Sequence, residues 1–166
     1  IATEILNKFP NSYKEKWLNM MRKKLGIIGE ENNDEELIIE LLTWMHKNKA
    51  DYTNTFCYLM DNLKIDSSIF QDDQFKIWKK KWVMRTRLNG NTPVNSLNIM
   101  KKANPLIIPR NYHVEEALKI AVENNDIAKL KKLMDAIKGN KRDVSTLSTY
   151  QYPGKNSKKY VTYCGT

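Results

Sequence analysis

Two cysteines, two histidines and a run of lysines and arginines are the reactive or strongly charged side chains that stand out in this 166-residue chain, and their spacing limits what they can do. Cys57 and Cys164 form no C-x-x-C pair and have no metal-ligand spacing with His46 or His113, which argues against a disulfide framework and against a metal centre. Cys57 falls beside Phe56 and Met60 on one helical face, where cysteine behaves as a small hydrophobe rather than a nucleophile. His46 lies at the edge of an apolar face and His113 at a helix start, so structural roles are expected of both. Cys164 is third from the last residue in a polar stretch, where a thiol is within reach of oxidants or of another thiol. The six glycines are never close enough together to cradle a phosphate. No catalytic residue, metal site or cofactor site is therefore assigned within the chain.

The charge is the next signal. The net value of +9 is spread unevenly: residues 1–73 carry 9 Lys/Arg against 13 Asp/Glu, residues 74–114 carry 9 against none, and residues 115–166 carry 10 against 6. Lys76, Lys80 and Arg87 in the acid-free block fall on one strip of a predicted helix, with Lys81 and Arg85 on another. Such a block can serve phosphate, nucleic acid or an acidic partner, and it can equally be a solvated face or a face that meets an acidic neighbouring domain.

The elements that must position these groups read as helices throughout, with no alternating strand pattern. Pro10 is expected to end a first helix, and Ser12–Leu25 to form the next, stopped by Gly26. Asn33 with Glu36 resembles a capping box opening a helix to about Asn48, and Asp51 can cap the one after it. Between about Asp72 and Leu88, Phe75, Trp78 and Trp82 make one apolar stripe while Ile77, Met84 and Leu88 make another on the opposite side, so this helix is expected to be packed on two sides. Its aromatic residues are read as core rather than as a base-stacking platform. Asn89-Gly90-Asn91 breaks it, and Pro93 begins a short helix through Lys102. Val114, Ala117, Leu118 and Ala121, then Ile127, Leu130, Met134 and Ile137, give two stripes joined at Asn124-Asn125-Asp126, an αα-hairpin.

The fold class is therefore all-α: an irregular helical domain over residues 1–138 with a C-terminal αα-hairpin, then an extended tail over 139–166 in which Tyr150, Tyr152, Tyr160 and Tyr163 interrupt a linker-like composition. A first residue other than methionine, inside an apparent helix, suggests a segment of a longer protein. No apolar run approaches the roughly 20 residues of a membrane span and no secretory leader is visible, so no membrane partner is expected and the default compartment is the cytoplasm.

A rigid crossing precedes the hairpin. Pro105 and Pro109 forbid a continuous helix, Leu106, Ile107 and Ile108 between them are too apolar for a solvated linker, and Arg110 and Asn111 stand where the next helix begins. Asn104-Pro105, then Ile108-Pro109-Arg110-Asn111, then Val114-Glu115-Glu116-Ala117, resembles the C-terminal part of the selenoprotein O family. Met20-Met21-Arg22-Lys23-Lys24-Leu25-Gly26, Asp51-Tyr52-Thr53 and the final Tyr160-Val161-Thr162-Tyr163-Cys164-Gly165-Thr166 are further matches, in the right order along nearly the whole chain.

That resemblance implies a parent with a protein-kinase-like (pseudokinase) fold that acts as a protein adenylyltransferase, moving AMP from ATP to protein hydroxyls with Mg2+. The catalytic-loop and metal-binding Asp motifs of kinases are missing from this chain, so the resemblance makes it a regulatory and structural lobe without turnover of its own. Its partners would be the N-terminal kinase-like domain of the same protein and, for the parent, protein substrates. The resemblance also makes Cys164 a redox regulatory thiol that forms a disulfide with the kinase-like domain; with that domain absent, Cys164 is expected to be reduced. Arg110 and Asn111 are candidate contacts to that domain. The sequence departs from the family at Gly154, where a second proline is expected, and in the lysine-rich run that follows. Two rival readings remain: a nucleic-acid-binding module on Lys76, Lys80, Arg87 and Lys101, which is disfavoured, and a protein-interaction domain built on the hairpin, which would need further repeats.

Overall fold

The structure, a computed structural model, describes residues 2–60, 68–139 and 144–152. Among these residues there are eight α-helices, one 3-10 turn and no strand, as the helical periodicity requires. The chain divides into two compact units, Ile1–Asn104 and Pro105–Thr166.

The first unit holds α1 (Ala2–Lys24), α2 (Asp34–Asn48), α3 (Tyr52–Leu59), the 3-10 turn Ser68–Gln71, α4 (Asp73–Thr86) and α5 (Pro93–Ala103). α2 packs on α4, and α1 packs on both α5 and α2. Contrary to the expected stop, α1 runs through Pro10. Every residue from Leu6 to Asn11 is exposed, so water can satisfy the carbonyl that the missing proline N–H leaves unpaired, and the usual penalty is softened. The other end of α1 follows expectation: Gly26 takes φ +66°, and a Cβ there would lie 2.3 Å from the Ser96 hydroxyl oxygen, so both the conformation and the close approach of α5 require glycine.

The caps divide. Asp51 accepts from the Asn54 amide at 2.8 Å and Asp72 from the Phe75 amide at 3.0 Å, starting α3 and α4. The capping box at Asn33 does not form: with ψ near 4° its backbone is not extended, and its side chain makes no cap hydrogen bond. The core is aromatic, as the Phe75, Trp78 and Trp82 stripe predicts, and all three are buried. Trp78 and Trp82 stack in parallel at 6.0 Å. Each buried indole N–H is satisfied at 2.8 Å, from Trp44 to the Asp72 carboxylate, Trp78 to the Leu37 carbonyl and Trp82 to the Leu25 carbonyl. The second stripe of α4 is not packed: Ile77, Met84 and Leu88 are exposed, as is Ile39 on α2.

The second unit holds α6 (Asn111–Asn124), α7 (Ala128–Gly139) and α8 (Val144–Tyr150). α6 and α7 form the expected hairpin, with Asn125 left-handed at φ 53° and the Asp126 carboxylate accepting from the Ala128 amide at 2.8 Å. Lys129 pairs with Glu116 across it at 2.6 Å. The buried face of α7 is Leu133 and Ala136 rather than Met134, which is exposed, because α8 also packs on this helix. The described part of the expected extended tail is thus helical at Val144–Tyr150, and its Leu147 and Tyr150 are buried. The rest of that tail, with Tyr160, Tyr163 and Cys164, lies outside the described residues.

Candidate functional site

The densest polar constellation in the first unit is one that spacing did not reveal. Asp34, at the first position of α2 and only 1% exposed, receives Arg22 Nε from α1 at 2.7 Å and Arg85 from α4 through Nε at 2.6 Å and Nη2 at 3.1 Å. The Glu31 amide adds a fourth donor at 3.0 Å. Arg85 also donates to the carbonyls of Ile28 and Gly29, both at 3.1 Å, and Arg22 reaches Glu30 at 2.9 Å. One carboxylate thus ties three helices and the loop between α1 and α2. Burial alone would push the Asp34 carboxyl up, but hydrogen bonds from Arg85, the Glu31 amide and Arg22, with the charge of Arg85, together hold it below the ordinary carboxylate range. A carboxylate held ionised and enclosed by guanidiniums is a poor proton donor or base. Its role is positional.

The same geometry engages two cations of the acid-free block. The strip of α4 that carries Lys81 and Arg85 faces the acids of α2: Lys81 pairs with Glu40 at 2.6 Å, and Arg85 with Asp34. The Glu40 hydrogen bond raises the Lys81 pKa. Lys79 lies over the Tyr58 ring at 5.0 Å. The other strip, Lys76, Lys80 and Arg87, is exposed, with Lys76 3.6 Å from Asp73. Of the three predicted patch residues, Lys76 and Lys80 are thus exposed on α4 and Arg87 is exposed just past its end. The aromatic side chains beside them point inward, so Trp78 and Trp82 cannot stack on bases.

A second junction joins Lys24, at the end of α1, to Asn104, at the end of α5. Lys24 Nζ donates to Asn104 Oδ1 at 3.1 Å, and Asn104 Nδ2 donates to the Lys24 carbonyl at 2.8 Å. The ammonium also lies 5.3 Å from the Tyr52 ring centre and 4.9 Å from that of Phe56. Burial lowers the Lys24 pKa, with the nearby Cys57 working in the opposite direction. Cys57 itself is fully buried in the core. Three of the motifs singled out in the sequence, Met20–Gly26, Asp51–Thr53 and Asn104-Pro105, thus meet at one place through Lys24, Tyr52 and Asn104.

In the second unit, Arg110 is the residue before α6, with an extended backbone (φ −72°, ψ 133°) and no side-chain cap hydrogen bond. Its carbonyl accepts from the amides of His113 at 2.9 Å and Val114 at 3.1 Å. Arg110 is half-buried and Asn111 exposed. His113 is buried, 3.1 Å from the Tyr152 carbonyl through Nε2 and edge-on to Tyr150 at 5.3 Å, which ties the start of α6 to the end of α8. His46 is exposed on α2. Among the described residues, no group of three His, Cys, Asp or Glu side chains could hold a metal ion, and no helix is long and apolar enough to cross a membrane. Of the predicted site residues, Cys164 lies outside the described part.

Comparison with known proteins connects these motifs to a family. Residues 2–138 match the family described as "Protein adenylyltransferase SelO". The chain is 44% identical, over its full length, to a "Protein nucleotidyltransferase YdiU" of Pelagibacter ubique. Proteins of the same name from Clostridium botulinum and Alcanivorax borkumensis are 41% and 40% identical over 100% and 99% of the chain. In each case the chain spans 34% of the length of the relative.

Proposed function

Because the chain belongs to the SelO family of protein adenylyltransferases, we propose that it is the helical, non-catalytic region of such an enzyme, bracing a kinase-like part that transfers AMP from ATP to protein hydroxyls. The observation that carries this reading is the match itself: the whole chain aligns with proteins named nucleotidyltransferases but accounts for 34% of their length. ATP and Mg2+ belong to the other part, whose phosphate-binding glycines and catalytic aspartates have no counterpart among the motifs of this sequence. A bracing role also suits the apolar stripe of α1, where Leu6, Phe9 and Tyr13 are all more than half exposed. In this reading Arg110 and Asn111 contact the catalytic part, Cys164 is a redox thiol that restrains it, and the enzyme works in the cytoplasm.

The test is AMP transfer from labelled ATP to protein. The 166-residue chain should give none, and a full-length family protein carrying it should label protein. Arg110→Ala in the long protein should lower labelling or thermal stability. Oxidation should depress labelling only while Cys164 is present. Transfer by the isolated chain, or none by the long protein, would overturn the reading.

A further inference from the structure

The apolar stripe on the outer side of α4 has the periodicity of a buried surface and is not buried. Ile77 and Met84 sit at i and i+7 of α4, Leu88 lies just past its C-terminal end, and the three are 58%, 71% and 47% exposed; Ile39 of α2 adds a fourth large side chain at 49%. These residues line two adjoining grooves between α2 and α4, of about 650 and 400 Å3, which share Glu36, Glu40 and Lys81. The grooves therefore form one trough. From Ile77 to Met84 it follows about 10 Å of helix, two turns, and it continues to Leu88 just past the helix end.

We propose that this trough seats one amphipathic helix with a basic edge, contributed by the part of the longer protein that this chain does not span; the proposal rests on the reading of the chain as a region of such a protein. Two observations favour this occupant. First, the chain spans only 34% of the relatives' length, so most of each relative lies outside it and is available to cover the stripe. Second, the rim of the larger groove is acidic on balance: Glu31, Glu36 and Glu40 line it with Lys81 and Arg85, Arg85 is engaged by buried Asp34, and Lys47 lines only the other groove. Lys81 is already paired with Glu40, and Glu36 makes no ion pair among the described residues. A third helix laid along two others buries an i, i+3/i+4, i+7 stripe in such a groove, and cations on its flank would answer Glu36 and Glu31.

The experiment reads burial directly through Met84. Peroxide or hydroxyl-radical oxidation is followed by peptide mass spectrometry in the 166-residue chain and in the full-length protein that carries it, with buried Met21 as the protected reference. Met84 should oxidise severalfold more slowly in the long protein than in the isolated chain, and Glu36→Lys in the long protein should restore part of the rate. Equal rates in both proteins would overturn the proposal. So would protection already present in the isolated chain, whether relieved by dilution, which makes the occupant a second copy, or by deletion of residues 153–166, which makes it the chain's own end. No effect of Glu36→Lys would overturn the basic edge. Failure here is separable from failure of the enzymatic reading: a long protein that transfers AMP with Met84 exposed loses only this proposal, and one with Met84 protected but no transfer loses only the activity.

Discussion

Lys24 and Asn104 hold each other twice, side chain to side chain at 3.1 Å and side chain to backbone at 2.8 Å, across 80 positions of sequence. Asn104 Nδ2 also reaches the Met100 carbonyl at 3.0 Å, so one amide caps the ends of α1 and α5 together. Asn104→Ala takes the side-chain donor from the Lys24 carbonyl and leaves the Met100 carbonyl only the backbone amide of position 104. It should cost about 1–3 kcal/mol, read as a fall in the urea midpoint at unchanged slope. An unchanged midpoint would show that the clasp contributes nothing.

Arg85→Ala strands the Asp34 carboxylate in the core beside a single remaining arginine. Breaking a buried pair from one side typically costs about 3–5 kcal/mol, which should unfold most of the first unit at moderate denaturant. Arg85→Lys should recover only part of the loss, because an ammonium cannot span both Asp34 oxygens and the carbonyls of Ile28 and Gly29 at once. Circular dichroism melts of the two variants, side by side, settle the order.

Acid should destabilise the fold through two carboxylates. Asp34 and Asp72 both lie below their ordinary value in the folded chain, Asp72 because of hydrogen bonds from the Phe75 amide and the Trp44 indole. A depressed folded pKa means the unfolded chain binds the proton first, at about 3.9. Their contribution is therefore complete above that value and is lost as pH falls through the lower folded values. Melting temperatures measured from pH 7 down to 3 should drop steeply at the acid end, and Asp72→Asn should flatten part of that drop. Parallel curves for the two proteins would count against it.

The exposed strip of α4 separates stability from binding. Replacing Lys76, Lys80 and Arg87 with alanine should leave stability within about 0.5 kcal/mol per site, whereas Lys81→Ala also removes the pair with Glu40. A labelled oligonucleotide titrated at low salt should show no saturable binding that depends on these three residues. Binding with a steep log-log salt slope, lost in the triple variant, would revive the nucleic-acid reading.

What the sequence made legible was local. Asp51 acts as the expected cap because a cap needs only the three residues that follow it. The Trp78 and Trp82 stripe is core because periodicity names a face. Periodicity does not name the partner. Arg85 reads as one more cation on a helix flank, and nothing in its neighbourhood points 51 positions back to Asp34. The same limit explains Ile77, Met84 and Leu88, whose spacing demands a covering surface that the described residues do not provide. It also explains α7, where Leu133 and Ala136 turn inward because of α8, a helix hidden in a stretch whose composition reads as linker. Pro10 failed as a stop signal because its stretch of helix is solvated rather than packed. Of the site candidates, the strip on α4 and the position of Arg110 and Asn111 at the start of α6 follow from spacing alone.

The ion pairs that join α2 to α4 have a consequence for a backbone cut between Met60 and Ser68. The piece on one side would keep Asp34 and Glu40, and the piece on the other would keep Arg85 and Lys81, so a nicked molecule is a pair of electrostatically matched halves. Mixed in dilute buffer, such halves should find each other and reassemble, co-eluting from a sizing column, and should associate more slowly as sodium chloride is raised.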